Sequence, residues 1–241
     1  MENNKIGHHI SRQFNQELED IRNKVLIMGG LAEQQMESAV RAFMTGNMEL
    51  AEQVIQQDRQ IDVLEKEIDR ECLQILARRQ PAAFDLRLLI AVIKSITELE
   101  RIGDQAERIA RSAIHLEDIE GGSREDYYKL KHLADLVRDM LHGALDSFAR
   151  MNVDQVVYIT EQDENVNREY ISIIRQLISQ MMEDPRNIKR TINVLWAVRA
   201  LERIGDHACN ICEYVIYMVK GEDVRHISQE ELEAKVGGRK S

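Results

Sequence analysis

The chain has 241 residues, 44% hydrophobic, 31% charged and 5% aromatic, and 32 Lys and Arg against 42 Asp and Glu leave a formal charge of −10. These balances suit one or two globular domains with a large core and exclude a disordered chain, while the acidic excess argues against nucleic acid as the main partner. Two prolines and 12 glycines are too few for the turns of an all-β protein, and no apolar run nears the ~20 residues that span a bilayer.

The start, Met1-Glu2-Asn3-Asn4-Lys5, is polar and leads into no apolar signal-peptide region. From Phe14 to Phe43 apolar residues (Leu18, Ile21, Val25, Met28, Ala32, Met36, Ala39) recur at steps of three and four, which predicts one long helix. Gly29-Gly30 interrupts this stripe. Asn47 is placed to cap a second helix, whose buried face carries Val54, Ile61, Leu64, Ile68, Cys72 and Ile75 and which ends before Pro81. A third helix is expected from Asp85 to Ile114, with Leu89, Val92, Ile96, Leu99, Gly103, Ala106 and Ala110 inward. Gly121-Gly122-Ser123 reads as a linker. The plan then returns. Leu133, Val137, Met140, Ala144 and Phe148 mark helix four; Asn152, with Gln155 three residues on, resembles a capping box for helix five; Pro185 ends it; helix six spans about Ile188 to Val219. The tail from Gly221 is polar and is expected to fray, around one short helix at Ser228–Val236. Three cysteines (Cys72, Cys209, Cys212) form no disulfide framework and suit a reducing cytoplasm.

The return is a repeat. Leu99-Glu100-Arg101-Ile102-Gly103-Asp104 is spelled again as Leu201-Glu202-Arg203-Ile204-Gly205-Asp206, at an offset of 102. Upstream the offset is 105, pairing Ala39 with Ala144, Asn47 with Asn152 and Asp58 with Asp163. The expected fold is therefore all-α: two tandem three-helix bundles, over residues 1–120 and 124–221, followed by a tail at 222–241.

Glu100 and Asp104 lie four residues apart and border the apolar stripe, and Glu202 and Asp206 repeat them. Two such anions repel by about 0.2–0.5 kcal/mol on an exposed helix and by more when half-buried. A duplicated pair at a core edge points to a cation, and oxygen-only donors suit Mg²⁺, Ca²⁺, Mn²⁺ or oxidised iron. Asp58 and Asp62 on helix two are placed to face Glu100 and Asp104. In the second copy Asp163 is kept but Asn167 replaces an acid, so that site should hold a cation more weakly. The alternative is that Arg101, Arg108 and Arg111 neutralise the acids as surface pairs. The twice-used mid-helix glycine, Gly103 and Gly205, implies close packing or space for a ligand. Cys212 aligns with Ala110, a core position, and His207 aligns with Gln105 on the side read as solvent-facing. No Gly-rich phosphate loop, nucleophile elbow, zinc cluster or Glu-x-x-His pair occurs.

The twofold Leu-Glu-Arg-Ile-Gly-Asp, the run Asp58-x-x-Ile61-Asp62 and the turn Gln80-Pro81 before Asp85-Leu86-Arg87 resemble the PhoU family, over about Phe14 to Gly221. The resemblance implies two pseudo-twofold-related three-helix bundles. It also implies a cytoplasmic, non-enzymatic negative regulator of phosphate signalling and uptake, reaching the membrane only through protein partners. Those partners would be the ATPase subunit of the phosphate ABC transporter and the sensor histidine kinase PhoR, with a homodimer as the plausible assembly. Carried over residue by residue, Glu100, Asp104, Glu202 and Asp206 are metal candidates, with Asp58, Asp62 and Asp163 opposite. The other readings are a carboxylate-bridged metal-binding or redox protein and a metal-free helical scaffold.

Overall fold

Three-and-four spacing folds as helix because each apolar stripe then faces one neighbour along its whole length. A computed structural model of the chain describes residues 3–116, 124–225 and 227–237, with no strand among them. α1 (Asn3–Thr45), α2 (Met48–Arg79) and α3 (Ala83–Ile114) form one bundle; α4 (Arg124–Arg150), α5 (Val156–Glu183) and α6 (Ile188–Lys220) form the other; and α7 (Gln229–Gly237) lies on α5. The chain thus adopts the expected pair of three-helix bundles. At 43 residues, α1 runs for about 65 Å. The predicted linker at Gly121-Gly122-Ser123 lies outside the described residues. Among the described residues, no helix is long and apolar enough to cross a membrane.

The helix ends follow local chemistry, with two corrections. Asn47 caps α2 as expected, its side chain accepting from the Leu50 N–H at 3.0 Å after a turn at Gly46 (φ 66°). Asn152 does not cap α5. It accepts from the Asp154 N–H at 2.8 Å in a local turn that buries Val153, and the helix starts only at Val156. Nor is the tail a simple frayed end. Val224 and Leu232 are buried, and the Lys220 ammonium donates to the carbonyls of Lys235 and Val236, so α7 is packed down.

α3 carries two buried stripes. Leu89, Val92, Ile96, Leu99, Gly103, Ala106 and Ala110 form the expected one; Leu88, Ala91, Ser95, Glu98, Ile102, Gln105, Ile109 and Ser112, each one residue earlier, form a second. α6 repeats this second line with Ala197, Ala200, Ile204, His207 and Ile211. One stripe packs within its own bundle. The other packs between the bundles, where α3 against α6 makes the most extensive helix–helix interface in the molecule. Further ties are Arg22 donating to the Ala149 carbonyl at 2.8 Å and the Leu145 side chain seated on Gly29, where the glycine pair leaves α1 unbroken.

His207 is therefore buried, not solvent-facing. Its Nδ1 donates to Glu98 Oε2 at 2.6 Å across the interface, and Asn210 Nδ2 donates to the same oxygen at 3.0 Å. Tyr214 and Arg101 donate to Oε1 at 3.4 and 3.3 Å. Burial alone would raise the Glu98 pKa; the hydrogen bonds and the charges of His207 and Arg101 outweigh it and hold the value below the ordinary one. Glu98→Ala strands one buried donor, His207, and two half-buried ones, Asn210 and Tyr214, and should cost about 1–3 kcal/mol, read as a lower urea midpoint with an unchanged slope.

Candidate functional site: two carboxylate clusters

Helices α2 and α3 bring the expected acids of the first copy together. The carboxylate oxygens of Asp58, Asp104 and Glu107 lie within 4.8 Å of one another, and Asp62, Glu65 and Glu100 are close enough to act on them electrostatically. Glu107 is the candidate donor that sequence reading missed. Its spacing of three from Asp104 was the available signal, but its counterpart in the repeat is Cys209, so the duplication did not mark it.

All these acids are half-buried. Burial first, then mutual repulsion, raises the pKa of Glu100. Asp58 is also raised mainly by burial, although Gln35 donates to its Oδ1 at 3.0 Å. Asp104 is raised by burial against an opposing pull from Arg108. The arginines neutralise them only in part. Arg111 pairs with Glu107 at 2.5 Å, Arg101 turns to Glu98, and the Arg108 guanidinium acts on Asp104 without a hydrogen bond or ion pair among the described residues. The repeated glycine has a specific purpose in this copy: a Cβ on Gly103 would stand 2.8 Å from Asp58 Oδ1 and 3.1 Å from Ile61 Cδ1.

The second cluster is built on the same backbone plan with different charge. Asp163 on α5 faces Glu202 and Asp206 on α6, and all three have raised pKa values caused first by burial. The places of Asp62, Glu65 and Glu107 are taken by Asn167, Tyr170 and Cys209. Asn167 donates to Asp163 Oδ2 at 3.0 Å. Arg199 donates to Glu202 Oε1 at 2.7 Å and lies over the Tyr170 ring at 5.5 Å, so here too an arginine partly balances the acids. Burial pushes the Cys209 thiol well up, which keeps it neutral. Two oxygens are nevertheless buried without a hydrogen-bond partner, Asp163 Oδ1 and Glu202 Oε2. Oxygen-only donors in the first cluster and orphaned oxygens in the second both fit a hard cation.

Comparison with known proteins bears on the same segments. The PhoU domain family matches residues 25–113 and 130–215, one copy per bundle. A relative from Pseudomonas putida, named phosphate-specific transport system accessory protein PhoU homolog, is 51% identical over 233 residues, covering 97% of this chain and 91% of that protein. The Escherichia coli (strain K12) protein named phosphate-specific transport system accessory protein PhoU is 44% identical over 241 residues, covering 100% and 99%. Among solved structures, the crystal structure of PhoU from Pseudomonas aeruginosa matches with a TM-score of 0.83 at 51% identity, over 87% of this chain and 100% of that one. The phosphate transport system regulatory protein PhoU from Streptococcus pneumoniae matches at 0.81 and 28% identity, over 88% and 99%.

Two measurements follow from the geometry. Nothing lies nearer than 3.6 Å to a Cβ placed on Gly205, so Gly205→Ala should stabilise by about 0.5–1 kcal/mol through helix propensity. Gly103→Ala should forgo that gain, because Asp58 must leave its place. Thermal melts of both variants check the contrast. The second measurement is a pH series on metal-free protein. A carboxyl whose folded-state pKa is raised destabilises the fold at neutral pH and stops doing so as pH falls through that raised value. Melting temperature should therefore rise on acidification from pH 7 toward the ordinary carboxylate range of about 4–4.5. Glu98 has the opposite sign, its pKa being lowered, so stability should then drop as pH falls below that range.

Proposed function

The chain belongs to the PhoU family, and from that premise we propose that it is a non-enzymatic accessory protein that holds phosphate uptake and phosphate signalling down when phosphate is plentiful. The observation that carries this reading is identity of 44–51% over nearly the full length to proteins named as phosphate-specific transport system accessory proteins. On this reading the protein works in the cytoplasm and meets the membrane through proteins: the ATPase subunit of the phosphate ABC transporter and the sensor histidine kinase PhoR. Its long helical faces offer the surface, and the transporter's state passes to the kinase as a difference in affinity for the kinase's two states. Association with a second copy is part of the same proposal. Ile171, Ile178 and Met182 leave an exposed apolar line along α5, which a protein contact would cover.

We assign metal binding to the acids. Asp58, Asp104 and Glu107 are the donors of the first site, with Glu100 and Asp62 beside them; Asp163, Glu202 and Asp206 are those of the second. A bound divalent or ferric cation would neutralise the repulsion and tie α2 to α3 and α5 to α6. The second site, with fewer anions and Arg199 already in place, should bind more weakly.

A deletion strain should express phosphate-starvation genes in high phosphate, and the wild-type gene should restore repression. Normal repression in the deletion strain would overturn the regulatory reading. The Asp104→Ala, Asp206→Ala double variant, purified without chelator, should carry less metal by elemental analysis than wild type; equal metal content would overturn the metal assignment.

A further inference from the structure

We propose that the cleft between α3 and α6, lined by Arg108, Arg111, Arg199 and Arg203, binds a soluble multiply charged phosphoryl anion, either inorganic phosphate or the phosphate chain of a nucleotide. This assignment stands on the cleft alone and does not depend on the regulatory reading.

The cleft measures about 570 Å³ and is roomier than a lone phosphate needs. Four arginines line it and no acidic side chain does, in a chain whose net charge is −10. Arg111 and Arg199 each give one bond to a carboxylate outside the lining, Glu107 and Glu202. The guanidiniums of Arg108 and Arg203 make no hydrogen bond or ion pair among the described residues; they act only electrostatically on the nearby acids, Arg108 on Asp104 and Arg203 on Glu202 and Asp206, so their forked N–H donors remain available. Planar guanidiniums lining one cleft from two helices suit the bidentate recognition of phosphoryl oxygens, where lysines would act only as point charges.

The repeat supplies an internal control. At an offset of 102, the residues that define this end of the interface have counterparts at the other end, and there the space is filled. Ala200 corresponds to Glu98, Ser112 to Tyr214, His115 to Tyr217 and Gln105 to His207. At the filled end Glu98 gathers His207, Asn210, Tyr214 and Arg101, while Lys94 lies over the rings of Tyr214 and Tyr217 at 5.3 and 5.8 Å. At the open end the carboxylate is an alanine methyl and a tyrosine is a serine. Arg108 and Arg111 also stand where the filled end has Asn210 and Glu213. One end thus carries its own anion, and the other has the cations without one. Trp196, 57% exposed, forms part of the cleft wall and adds a planar apolar face of the kind a nucleobase covers.

Trp196 is the only tryptophan of the chain, so its emission reports on the cleft. Full-length protein is titrated in EDTA, which keeps the acidic clusters metal-free, with inorganic phosphate, tripolyphosphate and ATP in parallel, followed by fluorescence and calorimetry. A saturable response is expected, weakening with added salt and reduced at least about tenfold in Arg108→Gln, Arg203→Gln. Arg101→Gln, altered at the repeat counterpart of Arg203, should bind as wild type does. The tightest of the three probes identifies the source of the phosphoryl group. The proposal is overturned by the absence of a saturable response to all three, by an equal loss in Arg101→Gln, or by equal displacement with an Asp/Glu-rich peptide, which would make the cleft a docking surface for acidic protein. Melting curves of the variants establish that they fold.

Discussion

Each bundle has to bury its third helix twice, once against its own two partners and once against the other bundle, and this demand organises the molecule. A helix with two adjacent buried stripes has little surface left for solvent, so its polar residues must find partners inside. On α3 the second stripe includes Ser95, Glu98, Gln105 and Ser112, and on α6 it includes His207. Glu98 meets its need across the interface with His207 and Asn210. Directional bonds of that kind favour one sliding position of α3 along α6, which alternating small apolar side chains would fix less sharply.

The outer edges of the same two helices hold the carboxylates, and there the duplication has diverged. The first copy gathers six acids around Gly103; in the second, three of those positions are Asn167, Tyr170 and Cys209. Gln35, which steadies Asp58, has Met140 as its counterpart. A single backbone plan thus yields two clusters that each receive one arginine from within, Arg111 on Glu107 and Arg199 on Glu202, but the first leaves more anions for it to balance. The half-buried acids cost stability, and the apolar stripes beneath them offset it, as is usual where a site asks for unfavourable charge.

The repeat, the helices and the cluster acids were legible because they follow strict rules: a hexapeptide spelled twice, apolar steps of three and four, and an Asn before a helix. Much of what stayed hidden lies in the interface between the bundles. The second stripe is rich in polar residues, so Glu98, Gln105 and His207 look like a solvated helix face until the other bundle is laid against it. Asn152 misled because a side-chain cap and an Asx turn draw on the same chemistry, and only the burial of Val153 decides between them. The grouping of Arg108 and Arg111 with Arg199 and Arg203 likewise needs the interface, since the residues come from helices far apart in sequence.

The cleft and the clusters are joined by two guanidiniums. Arg111 holds Glu107 of the first cluster, Arg199 holds Glu202 of the second, and both line the same space between the bundles. On the two proposals taken together, an anion in that space would compete with Glu107 and Glu202 for these donors, and a cation on either cluster would compete with the arginines for the carboxylates. Each ligand would then release what the other needs: metal on the acids would free the guanidiniums for an anion, and an anion on the guanidiniums would free the acids for metal. Coupling of this form is reciprocal by thermodynamic necessity. It requires no large movement, because an arginine side chain can change partners while its helix stays in place. The central interface would thereby report the ionic state of both bundles at once, which neither cluster, lying on its own flank, can do alone.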